Sequence, residues 1–158
     1  MDSEIDNSRD ASKLKMVWNQ SSIPVVLRRG GKGQSLRVRL PKRPDNFEWL
    51  RNGQSIRPKW LADDQQWYWE LPKRWFSDFV NRALVRYGKV YIIQPYREQE
   101  VCARACMEAT GHECQCSCMG ANHGAGIDES WFEVSEAFAV RSREPELACR
   151  LLVKKQSA

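Results

Sequence analysis

The first fifteen residues, MDSEIDNSRDASKLK, show no apolar position recurring at helix or strand spacing. Such a polar stretch is expected to lie outside the fold as a disordered tail over 1–15, with one domain spanning 16–158. Pattern begins at Ile23. Ile23-Pro24-Val25-Val26-Leu27 leads into a basic, glycine-rich loop, and from Leu36 to Leu40 apolar and Arg positions alternate strictly. The alternation predicts a hairpin with a basic outer face. Asp45 to Asn52 reads as a short helix with Asp45 as N-cap and Gly53 at its end. A second strand pair is expected at Pro58-Lys59-Trp60 and Trp67–Leu71, turning at Asp63-Asp64.

Pro72 suits a first helical turn, and Trp75, Phe76, Phe79, Val80, Ala83, Leu84 and Tyr87 follow at helical spacing until Gly88. Lys89–Pro95 is β-branched and aromatic, as a buried strand requires. Phe132, Val134, Phe138 and Val140 alternate, as do Leu147, Cys149, Leu151 and Val153, which predicts a closing hairpin. The expected fold is therefore α+β. It comprises a small mixed sheet, one main amphipathic helix over about 73–87, a Cys-rich metal-bound insertion at 100–126 and a C-terminal β-hairpin.

A chain of 158 residues with 42% hydrophobic and 28% charged residues can bury a core without disulfide staples. The N-terminal stretch does not read as a secretory signal, and the sequence lacks the ~20 consecutive apolar residues of a membrane span. A cytoplasmic protein without membrane contact is expected. In a reducing compartment, clustered cysteines point to metal or catalysis rather than to bridges.

Residues 102–123 carry that cluster, as CxxxC, seven residues, CxCxC, four residues and then His. Val101–Thr110 is rich in helix formers, so Cys102 and Cys106 at i and i+4 would direct two sulfurs the same way. Cys114, Cys116 and Cys118 would alternate along a regular strand, so the backbone must coil for all three to meet one ion. Zinc takes four ligands, which Cys102, Cys106 and a subset of Cys114, Cys116, Cys118 and His123 can supply. Two zinc ions sharing a bridging cysteine use the surplus. An iron–sulfur cluster is the alternative, although the spacing matches neither usual ferredoxin pattern. His112 reads as a turn residue and Cys149 as a small buried hydrophobe.

Charge is concentrated. Residues 28–60 hold Arg28, Arg29, Lys32, Arg37, Arg39, Lys42, Arg43, Arg51, Arg57 and Lys59 against Asp45 and Glu48, a net +8 within a chain of +5 overall. Clustered cations interleaved with aromatics form the composition of a nucleic-acid surface. Arg28, Arg29, Lys32, Arg37, Arg39, Lys42 and Arg43 are the expected phosphate contacts. Seven Trp serve either that surface or the core, where Trp75 and Trp67 belong by periodicity.

Residues 45–84, with Asp45–Leu50, Pro58-Lys59-Trp60, Trp67-Tyr68-Trp69 and the helix from Trp75, resemble the HARP domain of DNA-annealing helicases. The resemblance implies DNA binding, although no helicase motor accompanies it. The segment CQCSCMGANHG resembles one met in uncharacterised proteins of microbes and their phages, which implies a phage or mobile-element origin. The expected function is a zinc-binding, nucleic-acid-binding accessory protein. One alternative is an interaction module that inhibits or recruits a host factor. The other is a metal-dependent enzyme using His123 beside Asp128 or Glu129.

Overall fold

The structure is a computed structural model and describes residues 2–30, 33–62, 67–95, 132–140 and 147–155. Helix α1 (Asp2–Asn19) leads to strands β1 (Val25–Leu27) and β2 (Leu36–Arg39), then α2 (Asn46–Arg51). Strands β3 (Lys59–Ala62) and β4 (Trp67–Leu71) precede α3 (Phe76–Tyr87), β5 (Lys89–Pro95), β6 (Phe132–Val140) and β7 (Leu147–Lys154). The strands form one seven-stranded mixed sheet in the order β3-β4-β2-β1-β5-β7-β6. All neighbours are antiparallel except β1 and β5, which run parallel with Val26 opposite Ile92. The α+β class, the main helix and the closing hairpin agree with expectation. The insertion at 100–126 expected to bind metal lies outside the described residues.

Helix α3 forms where the periodicity places it. A single 3-10 turn, Lys73–Trp75, follows Pro72, and α3 then buries Phe76, Phe79, Val80, Ala83 and Leu84 while Val85 on the far side stays exposed. Burying a Phe, Val or Leu side chain of this kind contributes about 1.5–3 kcal/mol each. Gly88 ends the helix at φ +80, a conformation glycine adopts without steric cost, and its N–H donates to the Leu84 carbonyl at 2.9 Å.

Two cores lie on opposite faces of the sheet. On one, α3 and Leu50 of α2 pack against Val26, Leu36, Val38, Val90, Ile92 and Leu152. On the other, Leu14 and Val17 of α1 cover Val25, Ile93, Val140 and Cys149. The central strands therefore need apolar side chains in both directions, which explains the unbroken run in β5.

The stretch expected as a disordered tail is helical from Asp2. Leu14, Val17 and Trp18, at i, i+3 and i+4, give α1 a narrow apolar stripe, and Lys13 pairs with Glu136 of β6. Gln20 ends the helix with its side chain. Its Oε1 accepts from the N–H groups of Ser22 and Ile23, both at 2.9 Å, and turns the chain into β1.

Candidate nucleic-acid interface

At the β3–β4 edge the sheet carries tryptophans. The register sets Trp60 opposite Trp69 and Ala62 opposite Trp67, so three indoles meet on one side of the hairpin. The Trp60 ring centre is 4.9 Å from Trp69 and 5.7 Å from Trp67, with tilted planes. Phe47 of α2 reaches within 6.1 Å of Trp69. Leu40, Pro44 and Asn46 complete a cleft of about 430 Å³, and Lys42 and Arg43 stand on its rim. This volume lies in the range of small-ligand sites.

The wall between β2 and α2 is fixed locally. Asn46 is buried and its Nδ2 donates to the Pro41 carbonyl at 3.0 Å, tying down the turn that carries Lys42 and Arg43. A carbonyl only accepts, so this bond also fixes which end of the amide faces Pro41. The Asn46 Oδ1 is buried and has no partner among the described residues.

Trp60 is 50% exposed, the most open of the described indoles, and all four residues of β3 are exposed. Trp67 and Trp69 are half-buried. Trp67 is anchored from behind. The Arg39 guanidinium lies 4.5 Å from its ring centre and Nε donates to its carbonyl at 3.1 Å. The same guanidinium donates to the Trp18 carbonyl and, at 3.3 Å, to Asn19 Oδ1, so Arg39 joins the end of α1 to the cleft.

The seven expected phosphate contacts are dispersed. Lys42 and Arg43 are exposed at the cleft, with Arg43 5.0 Å from the Tyr87 ring centre. Arg37 is half-buried over Tyr68 at 5.0 Å, and Arg28 lies 5.4 Å from the Phe76 ring. Arg29 Nη2 donates to the Ser35 carbonyl at 3.3 Å. Arg39 is 7% exposed, and burial lowers its proton affinity. The alternation in Leu36–Leu40 predicted an open basic face, but α1 covers that face at Arg39. Lys32 lies outside the described residues.

Cys102, Cys106, Cys114, Cys116, Cys118 and His123 also lie outside the described residues. Among those described, no group of three or more His, Cys, Asp or Glu side chains is placed to hold a metal. Cys149 is fully buried, and desolvation pushes its thiol up to about 12, as suits a structural cysteine. No described helix is long and apolar enough to cross a membrane.

The site-forming aromatics, Phe47, Trp60, Trp67 and Trp69, come from three separate elements. Their signal in the sequence is the density of rings between 47 and 69. No protein-family model, curated protein or solved structure matches the chain.

Proposed function

We propose that the chain is a nucleic-acid-binding accessory protein that holds unpaired bases against Trp60 in the aromatic cleft and meets backbone phosphates with Lys42 and Arg43. The observation that carries this reading is the cleft itself, an indole-lined recess with two cations on its rim. Every base has a π face, so such a platform takes single strands with little sequence preference, at about 1–3 kcal/mol per stacked base. Bases within a duplex are stacked on one another and cannot enter a recess of this kind. The cations supply the remaining affinity through release of counterions.

The same proposal gives the cysteine segment a structural role. Zinc bound by Cys102 and Cys106 with ligands from Cys114, Cys116, Cys118 and His123 would order an otherwise polar insertion, since metal binding contributes directly to folding. Elemental analysis with a visible spectrum decides the metal. Zinc in a colourless protein supports this role, and a brown protein carrying iron reverses it to an iron–sulfur cluster.

Titration with a fluorescent single-stranded oligonucleotide at several salt concentrations tests the main reading. Log affinity should fall with log salt with a slope of at least about 1.4, the value for two phosphate contacts on a single strand. Trp60→Ala should weaken binding with the slope unchanged. Absence of binding, or binding indifferent to salt, ends the proposal. One observation favours a second reading. Strand β3 is an exposed sheet edge bearing Trp60 and Leu61, to which an extended peptide could add as a further strand. Purification with a single protein partner and no nucleic acid would support that role.

A further inference from the structure

A second recess lies at the other end of α2. It encloses about 340 Å³ between the C-terminal end of α2 and the start of α3, and Arg51, Arg74 and Arg82 line it together with Asn52, Trp75 and Asp78. Two of the three guanidiniums are held in place by neutral groups. Arg82 Nη2 donates to the Trp49 carbonyl and its guanidinium lies 4.6 Å from the Trp49 ring centre, while Arg51 Nε donates to the Gln54 carbonyl at 2.8 Å. These bonds also occupy carbonyls near the end of α2, removing partial negative charge from the recess.

The electrostatics of this recess are incomplete. Neither of the ion pairs Lys13–Glu136 and Arg86–Asp45 involves Arg51, Arg74, Arg82 or Asp78. Burial lowers the proton affinity of Arg82, Asp78 raises it, and the charge of nearby Arg86 lowers it again. Three cations thus share a polar recess with one carboxylate. A guanidinium presents a planar fork of N–H donors that matches the oxygens of a phosphate better than any neutral group does.

We infer that this recess is a phosphate site that takes a backbone phosphate of the strand whose bases occupy the aromatic cleft. The inference rests on the nucleic-acid reading of that cleft. Helix α2 separates the two sites. Asn46 and Phe47 at its start line the cleft, Leu50 and Arg51 at its end line the recess, and its six residues span about 9 Å. A single strand laid across α2 can therefore reach both, with aromatic contacts at one end and arginines at the other. Arg82 both caps α2 and lines the recess, so Arg51 and Arg74 are the arginines whose replacement spares that cap.

The experiment compares salt dependence of oligonucleotide binding by the full chain, Arg51→Gln/Arg74→Gln, Asp78→Asn and Trp60→Ala, with circular dichroism confirming that each variant is folded. The arginine variant should bind more weakly with a slope smaller by about 0.7, the share of one phosphate. Asp78→Asn, which removes the opposing charge, should bind roughly 1.5- to 5-fold more tightly. Trp60→Ala should lose affinity at unchanged slope. If the native chain binds with a salt-dependent affinity and the arginine variant matches it in slope and strength, the phosphate site is wrong while the cleft reading stands. If the native chain binds no oligonucleotide, the cleft reading falls, and nuclear magnetic resonance titration with inorganic phosphate decides the recess alone. Shifts at the Arg51 and Arg74 guanidinium signals that vanish in the arginine variant support it, and their absence from the native chain overturns it.

Discussion

Val90, Ile92 and Ile93 of β5 are 0–3% exposed, whereas the four residues of β3, at the sheet edge, all face solvent and Trp60 is half open. The two strands divide the chemistry of the sheet. The centre, between α1 and α3, is aliphatic, and its largest fully buried rings are Phe76 and Phe79 rather than any tryptophan. The β3–β4 end concentrates indoles where one helix turn and a short loop leave them partly uncovered. Of the six described tryptophans, Trp18, Trp49 and Trp75 pack partly buried against the two cores, while Trp60, Trp67 and Trp69 line the recess at this end. Indoles suit that position because their large rings bury area while the N–H stays able to meet water.

If the division is real, substitutions in the two regions should separate stability from binding. Phe79→Ala, deep under α3 and edge-on to Trp49, should cost about 3–5 kcal/mol in chemical denaturation and leave the surviving folded fraction able to bind. Arg39→Leu sits on the boundary. It removes donors from the carbonyls of Trp18 and Trp67, so it should cost roughly 1–3 kcal/mol and also weaken oligonucleotide binding, because Trp67 loses its anchor. A stability loss without a binding loss would show that the cleft does not depend on α1.

The contrast between centre and edge was partly legible in the sequence. Helical spacing from Phe76 to Leu84, the stop at Gly88 and the β-branched run after it located α3 and β5 because burial there follows local periodicity. The C-terminal hairpin was readable for the same reason. What local pattern cannot encode is which face a distant element covers. Arg37 and Arg39 alternate with apolar residues just as an open strand would, yet α1 packs over that face and buries Arg39. Helix α1 itself escapes notice because the apolar stripe among its described side chains is short, Ala11, Leu14, Val17 and Trp18. The cleft draws on three segments brought together by strand pairing, so the ring density was visible but the recess was not.

Trp60→Ala sharpens the comparison from the other side. Removing an exposed edge indole should change stability by less than about 0.5 kcal/mol, while binding should fall by about 1–3 kcal/mol, measured by anisotropy at fixed salt. Equal losses in both would place Trp60 with the core.

Cys149 reports on the centre through pH. Its folded thiol is pushed up to about 12 against an ordinary value near 9, so between those values the folded chain retains a proton that the unfolded chain loses. Stability should therefore fall as pH rises above about 9, by up to roughly 1.4 kcal/mol per unit from this group. Tyr87 and Tyr91, also raised by burial, act in the same direction at higher pH, so the comparison is with Cys149→Ala, whose stability should decline less steeply. Parallel declines would mean that water reaches the thiol.

The smallest effect belongs to Asp45, just before α2. Its position before α2 suggests an N-cap, but its side chain makes no capping bond and instead accepts from Arg86 Nη2 at 2.8 and 3.0 Å. The hydrogen bond from Arg86 holds the carboxyl below the usual carboxylate range, so any stability it contributes is present above the unfolded value and lost as pH falls through the folded one. Asp45→Asn and Asp45→Ser distinguish the two roles. Both residues are good caps, so a capping role predicts that they match Asp45, whereas a tether between α2 and α3 predicts that both lose the acid-dependent part of stability. Because the pair is exposed, the tether's contribution should shrink as salt is added. Persistence of that contribution at high salt would mean that the link between the helices lies elsewhere.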